Sequence, residues 1–260
     1  MAGILIALGI SFLINAIFFA FAAALRTDKV TDLSYSLSFV VLAVFLLATA
    51  GTFDWLKAAV TLMISAWGLR LGGYLFSRIL RTRVDHRFDG MRDKPLKFAR
   101  FWILQAVTVW LVMLPAIRLL SLPSPLPFTA LTAVGLALWA AGFAIEAASD
   151  AQKFRFKNDP VAGKGFMRTG LWSWSRHPNY FGESLLWWGI FLAAVPGFRG
   201  WDFLTALGPL GLTLLLLFVS GVPLLEKSAD AKYGKDADYL EYKRRTSLFI
   251  PLPPRRSPSR

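Results

Sequence analysis

Cysteine is absent from the 260 residues, which excludes disulfides, thiolate nucleophiles and cysteine metal sites. Histidine is scarce: His86 and His177 are the two present, too few for a histidine-rich metal centre, and no metal is expected. Several familiar signatures are missing too. No G-x-G-x-x-G follows a strand pattern, so a Rossmann domain is not indicated, and Gly163-Lys164-Gly165 lacks the P-loop spacing. Neither H-E-x-x-H nor G-x-S-x-G occurs. A nucleotide would need a pocket made of transmembrane helices and cytoplasmic loops.

What is present is apolar. Hydrophobic residues make up 55% of the chain, with 10 Trp and 22 Phe, a composition that fits a multi-span membrane protein with interfacial aromatic belts. Runs of spanning length recur at 3–25, 33–53, 56–76, 101–121, 128–148, 183–198 and 203–225. The expected fold is therefore all-α and polytopic, with seven transmembrane helices. The first run lacks a basic n-region and is too long for a typical signal-peptide core, so it reads as a span. The sixth is short, as a tilted or re-entrant helix would be. Asp54 is placed to cap the third helix, and Pro115 falls inside the fourth as a kink.

Net charge is +13. In a soluble protein this would point to nucleic acid. Here the basic residues lie between apolar runs, where membrane orientation and anionic lipid account for them and no nucleic-acid partner is expected. A basic lining for a phosphorylated cofactor is a further use of them. Loops 26–32, 77–100 and 149–182 and the tail 226–260 carry 2, 8, 6 and 9 Lys/Arg, whereas the alternate loops hold only Lys57, Arg118 and Arg199. The positive-inside rule then puts the N-terminus outside and the C-terminus in the cytoplasm. Residues 1–250 read as one membrane domain. Residues 251–260, rich in Pro and Arg, read as a disordered tail.

Polar groups gather on the cytoplasmic side. The octapeptide Arg176-His177-Pro178-Asn179-Tyr180-Phe181-Gly182-Glu183 immediately precedes an apolar run, and ionisable groups at that depth are costly and usually functional. Asn179 and Glu183 are i, i+4 and share the start of the sixth span, where free N–H groups and the helix dipole suit a phosphate or carboxamide oxygen. Upstream, Glu146, Asp150, Lys153 and Lys157 align on one face of a helix continuing from the fifth span. Lys164 and Arg168 lie in a flexible glycine-rich loop. A purely structural reading makes Asn179 a cap, Arg176 a snorkelling side chain and Glu183 the partner of a lysine. It leaves Glu146, Asp150 and Glu183 as three acids near one membrane face without a purpose.

In the first half Arg70 lies deep in the third span, with Tyr74 and Arg78 at i+4 and i+8. A buried arginine needs an acid or a phosphate. Arg83, Asp85 and Arg87 alternate in the loop that follows. Asp32 and Tyr35 are i, i+3 before the second span; Asp32 fits either an N-cap or a carboxylate that orients the phenol, and Tyr35 either a belt residue or a proton donor. Residues Glu226 to Tyr242 read as one amphipathic surface helix.

These residues carry a resemblance. The octapeptide followed by Leu-Leu-Trp-Trp-Gly, Asp150-x-x-Lys153, Asp32-x-x-Tyr35, Trp67-Gly-Leu-Arg70-Leu and the tail from Tyr242 to Pro251 resemble bacterial relatives of steroid 5α-reductases. The octapeptide alone is also similar to isoprenylcysteine carboxyl methyltransferases and sterol C14-reductases. The resemblance implies a seven-helix, NADPH-dependent membrane reductase, its cofactor in the cytoplasmic half, whose lipid-like substrate enters from the bilayer; a monomer in the bacterial inner membrane, with its active site toward the cytoplasm, is expected. It matches Asn179 and Glu183 to residues near the nicotinamide and ribose, Asp150 to an aspartate of the preceding helix, Tyr242 to a tail tyrosine over the cofactor and Arg70 to an arginine of the third helix. With the basic loops and polar clusters read above, the expected cofactor set is Arg70, Tyr74, Arg78, Arg83, Asp85, Arg87, Asp150, Lys153, Lys157, Arg168, Arg176, His177, Asn179, Tyr180, Glu183 and Tyr242. The chain departs from the animal enzymes in having Trp67 at the tyrosine that holds the steroid ketone and no glutamate in the second span. Asp32 and Tyr35 are the substitutes. The expected reaction is reduction of the C4=C5 bond of a 3-oxo-4-ene steroid or similar enone lipid. The alternatives are methyl transfer from S-adenosylmethionine and sterol C14 reduction.

Overall fold

A computed structural model describes residues 2–82, 88–91 and 93–255. Among these residues the fold is all-α, built from α1 (Ala2–Ala24), α2 (Thr31–Ala48), α3 (Trp55–Thr82), α4 (Pro95–Val112), α5 (Leu114–Leu120), α6 (Ala130–Asn158), α7 (Pro178–Ala194), α8 (Leu207–Phe218), α9 (Val222–Tyr233) and α10 (Ala237–Arg245). Among the described residues six stretches are long and apolar enough to cross a membrane: Gly3–Ala24, Thr31–Ala48, Trp55–Arg81, Pro95–Val112, Ala130–Asn158 and Gly200–Tyr233. This is the build of a multi-pass helical membrane protein. The expected sixth span is α7, whose 17 residues give about 26 Å at 1.5 Å per residue, under the ~30 Å of a hydrocarbon core.

The chain divides into two compact units, one of residues 1–132 with 194–208 and the other of residues 133–193 with 209–260. In the first, α2 and α3 pack closely because α3 offers glycine at the contact. A Cβ on Gly68 would lie 2.8 Å from the Val40 side chain, and one on Gly72 3.0 Å from Ser36 Cβ. Phe39, Leu42 and Ala43 of α2 and Val60, Ile64 and Trp67 of α3 are sealed in this core. Polar side chains tie α1, α2 and α4 together. Gln105 Nε2 donates to Asn15 Oδ1 and Ser34 Oγ, both at 2.9 Å, and Ser11 Oγ donates to the Ala106 carbonyl at 2.8 Å. Between membrane helices such bonds add to packing where the hydrophobic effect drives little association.

Two local expectations hold. Asp54 caps α3: Oδ1 accepts from Leu56 N at 2.8 Å, while Oδ2 accepts from Leu126 N at 2.7 Å. Asp54→Ala therefore removes a cap and strands a buried N–H, and is expected to cost about 2–4 kcal/mol. Thermal unfolding in detergent measures it, with Asp54→Asn retaining part of the loss. Pro115 does more than kink the fourth span. The helix stops at Val112 and restarts at Leu114 with the proline in its first turn, where its missing N–H is harmless. Asp32 is not an N-cap, since α2 begins at Thr31 after Val30 and no side chain caps it. It sits in the first turn, favourable to a carboxylate through the helix dipole.

In the second unit α6 and α7 touch backbone to backbone. A Cβ on Gly142 would lie 2.6 Å from the Gly182 carbonyl oxygen and one on Gly182 2.6 Å from that of Gly142. A turn pair away, Gly135 and Gly189 repeat the relation, again at 2.6 Å to each other's carbonyl oxygen. Asn179 does not cap α7. The helix starts at Pro178, and Ser175 Oγ accepts from His177 N at 3.1 Å instead. Glu226 to Tyr242 is not one helix, because Gly234-Lys235-Asp236 separates α9 from α10 and Asp236 caps α10 through the N–H groups of Asp238 and Tyr239. Residues 251–255 are not a free tail. Leu252 N donates to the Trp174 carbonyl at 3.0 Å and Arg255 N to that of Arg245 at 3.1 Å. With Arg176 N to Ser247 O at 2.8 Å and Ser175 Oγ to Phe249 O at 2.7 Å, residues 247–255 form a strap along the segment that leads into the octapeptide.

Candidate functional site

The α6–α7 contact decides where the polar residues of the second unit lie. α6 runs unbroken to Asn158, so Glu146, Asp150, Lys153 and Lys157 share one face as their spacing predicts. Glu146 and Asp150 are buried. The Gly182 contact sets α7 against the backbone of Glu146, within one turn of Asn179 and Glu183. Asn179 Nδ2 donates to Asp150 Oδ1 at 3.3 Å, and the Asn179 Oδ1 atom is buried with no hydrogen-bond partner among the described residues. Glu183 is buried as well. Three acids and a carboxamide thus gather on two facing helices, with an acceptor oxygen unused.

One turn further along α6 opens a cavity of about 300 Å³. Its walls come from α6, the 166–177 segment, α9 and α10. Phe166, Trp172, Tyr233, Tyr239 and Tyr242 supply the rings. Lys153, Lys157, Arg176 and Lys232 supply positive charge, opposed by Glu226. Lys153 Nζ stands 4.4 Å from the Trp172 ring centre, in cation–π contact. Trp172 is itself fixed by Nε1 donating to Ser149 O at 3.1 Å. Tyr242 OH donates to the Trp172 carbonyl at 2.7 Å, and burial pushes its phenol well above the ordinary range, so it stays protonated and acts as a brace. Burial and the Asp230 carboxylate, which accepts from its OH at 2.9 Å, push Tyr239 up similarly. Lys157 Nζ donates to the Gly163 and Gly165 carbonyls, each at 3.2 Å, and so orders the loop read from sequence as flexible.

Arg176 does not snorkel. It forms a short ion pair with Glu226, whose other oxygen lies 2.9 Å from His177 Nε2. Lys243 of α10 reaches Glu226 at 3.3 Å and Asp230 at 2.6 Å. Glu226 is the charged cavity residue the sequence reading missed. It follows directly on the last apolar run, where its neighbours Lys227 and Lys232 made it look like one more charge on a surface helix. Trp172, Tyr233, Tyr239 and Phe166 were missed as well, since aromatics near a membrane edge read as belt residues. Tyr180 stacks on His177 with ring centres 5.8 Å apart. Arg168 is exposed, pairs with Asp238 at 2.9 Å and is not among the residues lining the cavity.

In the first unit, Arg78 Nη2 lies 3.0 Å from Asp32 Oδ2. Tyr35 packs edge-on against Phe39 with centres 5.0 Å apart, and Phe39 packs the same way on Trp67 at 5.0 Å. Asp32 and Arg78 therefore meet at one end of the α2–α3 pair, with Tyr35 one turn further along α2. Arg70 and Tyr74 are half-buried on the same face of α3 as Arg78. Arg83, Asp85 and Arg87 lie outside the described residues.

Comparison with known proteins adds a family and one distant relative. The profile of a family described as "Protein of unknown function (DUF1295)" matches residues 18–246. "Uncharacterized protein C594.04c" of Schizosaccharomyces pombe is 35% identical over 101 residues, which cover 37% of this chain and 27% of the yeast protein. The alignment thus spans about a quarter of that relative's length. No solved structure matches.

Proposed function

The chain belongs to the DUF1295 family, and we propose that this member is an NADPH-dependent membrane reductase of the steroid 5α-reductase type, acting on the C4=C5 bond of a 3-oxo-4-ene steroid or a similar enone lipid. The observation that carries this reading is the cavity. Flat rings and four cationic side chains around about 300 Å³ suit one nucleotide half of a phosphorylated dinucleotide. The unused Asn179 oxygen beside Asp150 suits the amide N–H₂ of a nicotinamide. Lys153, Arg176 and Lys232 would hold phosphate, Trp172 and Tyr242 would flank a base, and Lys157 would keep the loop wall in place.

When bound, NADPH would supply a hydride for the β-carbon of the enone. Tyr35 would donate a hydrogen bond to the ketone oxygen and stabilise the negative charge that develops there. Asp32, held by Arg78, would keep the field around that phenol fixed. Water would protonate the α-carbon. The same reading counts α7 as a crossing, seven in all, with the N-terminus outside. The bias of Lys and Arg toward the loops that include the cavity supports a cytoplasmic site on a bacterial inner membrane.

A second reading is methyl transfer from S-adenosylmethionine. Glu226 and the tyrosine rings favour it, because a sulfonium is drawn to both. Lys153, Arg176 and Lys232 oppose it, since they would repel that cation and the ligand offers them one carboxylate in place of several phosphates. Purified protein is expected to retain NADPH and to convert an enone in a panel of 4-ene-3-oxo steroids, simple enones and 14-ene sterols. Mass spectrometry then reads a gain of two hydrogens, whereas gain of a methyl group would select the rival. No NADPH consumption with any enone would remove the reductase reading.

A further inference from the structure

His177 is a titratable wall of the cavity whose hydrogen bonding is left half complete among the described residues. Its side chain is 5% exposed, and Nε2 lies 2.9 Å from Glu226 Oε1. Nδ1 is buried and has no hydrogen-bond partner among the described residues. Charged and titratable groups face it from every neighbouring element: Lys153 from α6, Arg176 from its own segment, Tyr180 stacked from α7, Glu226 from α9, and from α10 Lys243, which bridges Glu226 and Asp230. Lys232, Tyr239 and Tyr242 line the same cavity.

Burial holds the imidazole below its ordinary range, the Glu226 contact opposes this, and the charges of Lys153 and Arg176 add to the lowering. The free protein therefore carries neutral His177, with Nε2–H donating to Glu226 and a bare lone pair on Nδ1. Charging the ring would create a buried Nδ1–H with nothing to receive it, a costly arrangement. An anionic ligand reverses each of these terms. Its charge offsets Lys153 and Arg176, and its oxygens give a protonated ring an acceptor.

Granted the nucleotide reading of this cavity, we infer that it takes up its anionic ligand together with one proton, and that His177 carries that proton. The proton comes from buffer and resides on Nδ1, while Nε2–H stays with Glu226. The complex then has the higher pKa of the two states. Extra affinity is complete below the free-state value and is lost as pH rises through the value in the complex. A one-unit difference corresponds to about tenfold in affinity.

The test is titration calorimetry on the full chain in detergent, in two buffers of different ionisation heat, with NADH, NADPH and adenosine. NADH is the cleaner probe, because the 2′-phosphate of NADPH itself titrates near pH ~6. Proton uptake is expected with NADH and none with adenosine, and NADH affinity should fall about tenfold from pH ~6 to ~8. His177→Gln keeps an N–H for Glu226 and cannot titrate, so its affinity should be flat over that range with no uptake. Binding of NADH without proton uptake, or equal uptake in His177→Gln, overturns the inference and leaves the reductase reading standing. If neither nucleotide binds, both fall. Should His177→Gln fail to fold, the NADH–adenosine contrast in the unmodified protein still decides.

Discussion

Gly142→Val and Gly182→Val are each expected to abolish folded protein. In α6 and α7 these two glycines face one another so closely that a Cβ on either would lie 2.6 Å from the other's carbonyl oxygen, and the obstruction is backbone, which cannot rotate away. Alanine already forces the helices apart. It gains about 1 kcal/mol of helix propensity, but the separation costs more, so Gly142→Ala is expected to lose about 3 kcal/mol or more. Valine adds two methyl groups at the same point. Gly9 of α1 is the control: nothing lies within 4 Å of its Cβ position, so Gly9→Ala should be neutral or slightly stabilising. Size-exclusion profiles and melting in detergent read both effects. A Gly142→Val protein that elutes and melts like the parent would refute the close contact. Because that contact sets Asn179 and Glu183 against Glu146 and Asp150, partial variants should lose ligand binding before they lose helix content.

Tyr35→Phe should lower turnover by about 10²–10⁴-fold, the range of a positioned acid, with nucleotide affinity unchanged. The expected separation follows from where the residues lie. Tyr35 belongs to the α2–α3 end of the first unit, packed on Phe39, whereas the cavity is built entirely by the second. The ring contact survives the loss of the hydroxyl, so the variant should fold. Steady-state kinetics with an accepted enone, together with the nucleotide Kd, measures both halves, and full turnover in Tyr35→Phe would end this role. Asp32 enters more modestly than its i, i+3 spacing to Tyr35 implied, because one carboxylate oxygen is held by Arg78 at 3.0 Å.

Much of the fold was legible because it is written in local terms. Apolar runs long enough for a bilayer give the spans, Asp54 gives a helix start, and Pro115 gives a break, each through chemistry confined to one turn. The extension of α6 to Asn158 was legible from the spacing of Glu146, Asp150, Lys153 and Lys157. What was illegible depended on partners distant in sequence. Gly135, Gly142, Gly182 and Gly189 look like tolerated helix glycines until the two helices are set side by side. Glu226 lies 50 residues from Arg176 and 49 from His177, and no periodicity links them. The 247–255 strap has no strand signal, since its few main-chain bonds take their geometry from the segment it lies on.

By itself, then, the sequence determined an all-helical membrane chain, its basic-loop asymmetry and a polar octapeptide at the head of a helix, because burial of apolar side chains and local capping need no distant partner. Only the tertiary structure decided that the octapeptide is braced from both sides, by glycine contact with α6 and by Glu226 of α9, and that aromatic and cationic residues from four segments enclose one cavity. Those outcomes rest on backbone approach and on charge pairs that cost too much to bury alone, so they exist only once the segments meet.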